Sequence, residues 1–268
     1  MNWVVAVRPV VSVYREPCDR APLTSQLLLG ETGRLDGRKG EWLAIVTEDA
    51  VSGWVHRGSI QELDEAAIEV WRRDRGWSSG AVLQSEVGRW WLPLRARPRL
   101  VADQAILPGG GAAARVLSGM VRPRSRAESE ALLLPPEEWA VSRFANTPWL
   151  NGGVTPGGVD SGGLVQTTWL ARGILLPRHP AEQIGVGSAV PQESMRPGDL
   201  AFFLNLKGDS ITHVGIISAD STLIHATLED GGVVAQSWLP GHPAHRLMER
   251  LAGVRRIADP LPPAGVWQ

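Results

Sequence analysis

Gly158-Val159-Asp160-Ser161-Gly162-Gly163-Leu164-Val165-Gln166-Thr167-Thr168-Trp169-Leu170 is the stretch that decides the fold of the C-terminal half of this chain. Leu164, Val165, Thr168 and Trp169 are spaced for one apolar face of a helix. A helix is therefore expected from Ser161 to Leu170, with Gly173 as its stop. Ser161 stands at the helix start, where serine is a favoured N-cap. Exposed N–H groups and the helix dipole favour negative charge there. Asp160 can cap the helix or bind a ligand. Further on, Thr212–Ser218 and Leu223–Thr227 read as a hairpin around Asp220-Ser221. His213 and His225 each lie six residues from position 219, close to the turn centre, and should stand nearly opposite one another. On a shared face, one imidazole can orient the other, which is the base-plus-orienter half of a nucleophilic triad. The third partner belongs at a helix N-terminus packed on that sheet. A thiol gains most from such a seat, because its pKa of about 8.5 can be pulled below neutrality. Position 161 is that seat, and it holds an alcohol.

Outward from this core, residues 137–258 read as one α+β unit. A helix runs from Pro136 to Phe144, with proline and two acids in its first turn. Met195-Arg196-Pro197-Gly198-Asp199 turns into the strand Leu200–Leu204. Residues 1–64 read as a small barrel of short strands, among them Val11–Tyr14, Glu41–Val46 and Ser52–His56. Residues 66–128 show alternating patches broken by Gly109-Gly110-Gly111, which fits a second, diverged barrel. That glycine run is a loop and not a phosphate cradle, since no Lys-Ser/Thr follows it. Pro123–Arg126 reads as a linker, and 259–268, with Pro260, Pro262 and Pro263, as an irregular tail.

Composition narrows the function classes. The net charge is −1, so no strong field for nucleic acid or acidic lipid is implied. A single cysteine, Cys18, rules out an internal disulfide framework and a multi-cysteine metal site. His242 and His245 are spaced for a metal, but no third ligand is apparent. With His56 and His179 they read as surface or turn residues. Twelve tryptophans against one tyrosine and three phenylalanines read mostly as core and sheet packing. No apolar run approaches the ~20 residues that span a bilayer, and no secretory signal opens the chain. The expectation is a cytoplasmic protein with no metal and no cofactor, or an envelope protein if its true start lies upstream.

Several blocks carry a family resemblance. They are Thr147-Pro148-Trp149-Leu150-Asn151-Gly152-Gly153, Gly158–Gln166, Leu176-Pro177-Arg178, Arg196-Pro197-Gly198-Asp199-Leu200, Thr212-His213-Val214-Gly215-Ile216 and Ile224-His225-Ala226. Together they resemble an NlpC/P60 domain, a papain-like fold of cell-wall cysteine peptidases. Leu28-Leu29-Gly30-Glu31, Gly40-Glu41-Trp42-Leu43 and Gly53-Trp54-Val55 resemble a bacterial SH3 domain. Family members with one or two SH3 domains ahead of the peptidase resemble γ-D-glutamyl-L-diamino-acid endopeptidases, which cut peptidoglycan stem peptides.

The resemblance implies roles by position. His213 is the base, His225 the orienting residue, and Ser161 sits in the nucleophile's place. Asp160 is implied to bind the free amine of an N-terminal L-Ala. The family's Asp-Cys-Ser-Gly is here Asp160-Ser161-Gly162-Gly163, so both the thiol and the neighbouring substrate-contacting hydroxyl are gone. Trp149 replaces a substrate-contacting tyrosine, and Asn151 replaces a tryptophan. These joint changes imply a natural pseudoenzyme that binds a murein stem peptide without cutting it, with Asp160, Trp149 and Gly162 at the ligand. One rival is an active hydrolase using Ser161 with His213 as base. Another is an interaction scaffold carried by the SH3-like modules.

Overall fold

The computed structural model describes residues 3–102 and 104–259, so the proline-rich tail from 260 lies outside the described residues. The chain divides into two compact units, Met1–Ala127 and Glu128–Gln268.

The first unit begins with seven short strands: β1 (Trp3–Ala6), β2 (Val10–Tyr14), β3 (Leu23–Leu28), β4 (Thr32–Lys39), β5 (Trp42–Thr47), β6 (Ser52–His56) and β7 (Ile60–Leu63). They form one sheet in the order β3-β2-β6-β5-β4-β1-β7. Alternation along β2 and β5 turns Val11, Val13, Leu43 and Ile45 inward, where they meet Val4, Ala6, Leu27, Val55 and Ile60. A helix not expected from sequence follows, α1 (Glu65–Arg73). Asp64 caps it by accepting the Ala67 N–H at 2.8 Å, and Ile68 and Trp71, three apart, are its buried pair. Its signal was the cap at Asp64, which strand-like alternation elsewhere in 66–128 obscured. Five antiparallel strands come next: β8 (Gly76–Ser85), β9 (Gly88–Leu94), β10 (Arg99–Val101), β11 (Gln104–Ile106) and β12 (Ala113–Pro123), in the order β10-β11-β12-β8-β9. Pro123 closes β12 and helix α2 (Arg124–Ala131) starts at the next residue, so the expected linker at 123–126 is regular structure.

A buried ionic cluster joins the two sheets of this unit. Glu31, Arg95 and Arg97 are each no more than 4% exposed. Arg95 Nε donates to Glu31 Oε1 at 2.6 Å, and Arg97 Nη2 lies 3.4 Å from the same oxygen. Arg97 Nη1 and Arg75 Nη1 both reach Glu48, at 2.9 and 2.7 Å. Glu31 Oε2 also accepts the Leu28 N–H at 3.1 Å. The carbonyl of Arg97 fills the space where a Cβ on Gly30 would stand, 1.9 Å from that position.

The second unit has the α+β order expected of it. It runs α3 (Pro136–Phe144), β13 (Val154–Thr155), β14 (Gly158–Val159), α4 (Ser161–Ala171), α5 (Pro180–Gln183), β15 (Ser188–Val190), β16 (Leu200–Leu204), β17 (Ile211–Ser218), β18 (Thr222–Thr227), β19 (Gly232–Ser237), α6 (His245–Met248) and β20 (Leu251–Arg256). The last six strands form an antiparallel sheet ordered β15-β20-β16-β17-β18-β19. One of its faces packs Ala201, Phe203, Ile217, Leu223 and Val254 beneath Trp238, Leu247 and Met248. Helix α4 packs on β17 and β18 and is flanked by α3, α5 and β13. All eleven of its residues are buried, so it is a central helix rather than one with a single apolar face. Gly173, at φ +86°, ends it as expected, and the Ile174 N–H closes back on Trp169 O. Among the described residues no helix is long and apolar enough to cross a membrane.

Candidate functional site

The two-residue strands β13 and β14 pair with each other and deliver the chain into α4. Asp160 is the N-cap of α4, so Ser161 occupies the first helical position and not the cap. The physical reason is reach: the Asp160 carboxylate accepts the Gly163 N–H at 2.8 Å and closes the first turn itself. The same carboxylate accepts the Gly152 N–H at 2.8 Å and two bonds from Arg178, at 2.8 and 2.7 Å. Arg178 is 1% exposed and also donates to Gly153 O at 3.2 Å. Asp160 thus spends its oxygens on two backbone amides and a bidentate guanidinium. Sequence reading placed Arg178 in a matching block but gave it no role. The signal available was that an arginine in an apolar stretch needs a carboxylate.

Ser161 is 6% exposed, and its hydroxyl makes no hydrogen bond among the described residues. Beside it, Gly162 is pressed by the loop into α5. A Cβ there would lie 2.6 Å from Arg178 O and 3.1 Å from Pro180 Cδ. The missing hydroxyl at 162 is therefore a close backbone approach and not an empty pocket. Gly162→Ser is expected to destabilise the second unit by about 1–3 kcal/mol through overpacking, read as a lower denaturant midpoint.

Trp149 is half-buried on the segment that borders this helix start. Its N–H donates to Gly231 O at 2.8 Å, and the following Leu150 N–H donates to Val159 O. That pairing ties residues 147–150 to both the chain leading into Asp160 and the start of β19.

The histidines lie on the sheet. Ile217 pairs with Leu223 and Ser218 with Thr222, which centres the hairpin on residue 220, one later than the sequence suggested. Asp220 and Ser221 make the turn at φ 53° and 55°. His213 and His225 are therefore diagonal neighbours on one face rather than directly opposite. Their rings meet nonetheless, with His213 Nε2 2.9 Å from His225 Nδ1 and the planes near perpendicular. Gly215 lies between them along β17. A Cβ there would come within 2.7 Å of Leu223, so only glycine lets the strands close over this diagonal. Phe203, paired with His213 across β16, packs against its ring at 5.9 Å.

Burial pushes the His213 imidazole down to about 3, with His225 and Arg250 adding to the shift and Asp160 opposing it. Burial also lowers His225, against Gln236 and Asp230, which raise it. Both rings are neutral at pH 7. The structure thus brings Asp160, Ser161 and Gly162 together at the head of α4, and His213 with His225 on the sheet against which α4 packs. It does not hydrogen-bond Ser161 to His213. His245 Nδ1 is engaged with Trp238 O at 3.0 Å, and His56 Nδ1 accepts the Gly58 N–H. Among the described residues no cluster of three His, Cys, Asp or Glu could hold a metal ion.

The second unit thus holds a capped, buried helix start and a hydrogen-bonded histidine pair, on a helix and the sheet it packs against. Residues 146–251, within the second unit, match the sequence profile of the NlpC/P60 family. A probable endopeptidase of Haemophilus influenzae is 41% identical over 95 residues, covering 35% of this chain and 58% of that protein. A γ-D-glutamyl-L-lysine dipeptidyl-peptidase of Bacillus subtilis is 33% identical over 84 residues, covering 31% of this chain and 28% of that protein. The chain thus spans little more than half of the first relative and less of the second. The crystal structure of an NlpC/P60 family protein from Bacillus cereus superposes with a TM-score of 0.79. It covers 95% of this chain and 99% of the other at 18% identity, a likeness of fold.

Proposed function

We propose that this protein binds peptidoglycan stem peptides, or fragments of them, in an NlpC/P60 site that no longer turns them over, with residues 1–64 and 66–128 as SH3-like modules ahead of it. The observation that carries this reading is the Ser161 hydroxyl, which is not bonded to His213 although the base is otherwise held in place. An alcohol is a far weaker acid than a thiol, and a helix dipole worth at most ~2 kcal/mol cannot ionise it. Attack by serine needs a base in hydrogen-bond contact and well matched to neutral pH. A base at about 3 is poorly matched. The ligand class draws support from the relatives, one of which is named for cleavage at γ-D-glutamyl-L-lysine. Calorimetry with an L-Ala-γ-D-Glu-diamino-acid tripeptide is expected to show binding. Chromatography of the same mixture is expected to show no L-Ala-γ-D-Glu above the uncatalysed level. Release of that dipeptide, abolished by Ser161→Ala, overturns the proposal.

A second reading keeps Ser161 as a working nucleophile. It is favoured by the intact bond between His213 and His225. It requires covalent labelling of Ser161 by a fluorophosphonate, and the expected outcome is no adduct by mass spectrometry of the intact protein.

A further inference from the structure

We infer that Gln236, anchored by Asp230, is a positioning residue for His213: acting through His225, it decides which ring nitrogen of each histidine carries the proton. The inference rests on the reading above that the site holding His213 binds a peptide, and it adds what the His213 ring offers there. Three strands supply the parts. Gln236 on β19 lies two residues beyond Val234, the partner of His225, and so on the same face of the sheet. Its Nε2 is 2.9 Å from Asp230 Oδ1, in the loop between β18 and β19. Its Oε1 is 3.3 Å from His225 Nε2.

A carboxylate only accepts, so the Gln236 amide must present its NH2 to Asp230 and its carbonyl to His225. His225 must then carry its proton on Nε2. Because the ring is neutral, its Nδ1 is a bare acceptor. That nitrogen is 2.9 Å from His213 Nε2, which must therefore be the donor. Neutral His213 is left with an unprotonated Nδ1. Each bond in the chain fixes the next, and the direction is set at the far end by Asp230. With the opposite tautomers, a lone pair of His225 would face the Gln236 carbonyl. Turning the amide over would only move the repulsion to Asp230. The outcome is a bare nitrogen on His213, able to accept a hydrogen bond from a ligand N–H or to take a proton.

Long-range proton–nitrogen correlation spectra of the full-length labelled protein read ring tautomers directly. The wild type is expected to show both His213 and His225 protonated at Nε2 and bare at Nδ1. Gln236→Met keeps the side chain's length but removes its acceptor, and both rings are expected to move to the averaged positions of mixed tautomers. Asp230→Ala, on an exposed loop, frees the amide to turn and should give the same mixing even if the methionine variant does not fold. Wild-type rings protonated at Nδ1, or unchanged tautomers in both variants, overturn the inference. Peptide binding is measured separately by calorimetry. A protein with the expected tautomers and no affinity for the tripeptide sinks the proposed function and leaves this relay standing.

Discussion

Glutamine in place of Glu31 is expected to lower the stability of the first unit by about 3–5 kcal/mol, the cost of breaking a buried ion pair by removing one partner. The substitution keeps the side chain's volume, so the loss reports charge and not a cavity. Glu31 is 3% exposed and accepts from Arg95 Nε at 2.6 Å and from the Leu28 N–H at 3.1 Å. Arg97 sits against it at 3.4 Å. Two guanidiniums in a dry interior would face a neutral amide in the variant. Faster hydrogen exchange in peptides covering residues 23–31 and 92–97, relative to the second unit, is the measurement. Acid should act on the same cluster. Burial tends to raise the Glu48 carboxyl, but Arg97, Arg75 and a bond from Thr32 outweigh it and hold it down at about 2, against an ordinary value of 4.5. Its folded value lies below its unfolded one, so its contribution is complete above pH 4.5 and drains away as pH falls toward 2.

Ser161→Cys is expected to raise stem-tripeptide turnover by ~10³-fold or more over wild type, since losing a nucleophile from an otherwise assembled set costs on the order of a millionfold. The seat retains what a thiolate needs. It is the first residue of a capped helix, with the dipole to lower a thiol's pKa and a histidine pair on the adjoining strands. Gly162 should stay as it is, because restoring a serine there drives a Cβ toward the Arg178 carbonyl. Cys18 is exposed, so the variant is best made in a Cys18→Ser background and followed by both peptide release and alkylation rate. A reactive thiol at 161 without turnover would mean that the ligand cleft itself has diverged.

Much of the second unit was legible because its signals are local. The apolar spacing of Leu164, Val165, Thr168 and Trp169 gave the helix, Gly173 gave its end, and two β-rich runs around Asp220-Ser221 gave the hairpin. What escaped depends on atoms distant in sequence. The burial of α4 on every side comes from α3, α5, β13 and the sheet together, which no window of eighteen residues can reveal. The one-residue shift of the hairpin centre depends on a three-residue loop, and turn chemistry fixes register more finely than hydrophobic pattern does. Asp160 as cap and Arg178 as its partner are eighteen residues apart. Gln236 carries no motif at all, and its place beside His225 follows only from strand pairing. In the first unit, α1 is amphipathic, with Ile68 and Trp71 as its buried pair, but its nine residues open a segment whose strand-like alternation dominates the reading of 66–128.

The joint between the two sheets of the first unit has a practical corollary for anyone shortening this chain. The stretch near residue 65, where strand-rich sequence pauses, looks like a place to cut. A fragment stopping there would keep the buried Glu31 and the partly exposed Glu48 and discard Arg75, Arg95 and Arg97, the cations that sit against them. It would also uncover the backbone at Gly30 that the Arg97 carbonyl now covers. Excised alone, the first seven strands would carry two stranded acids and an open seam, so a soluble piece should retain everything through the end of β12.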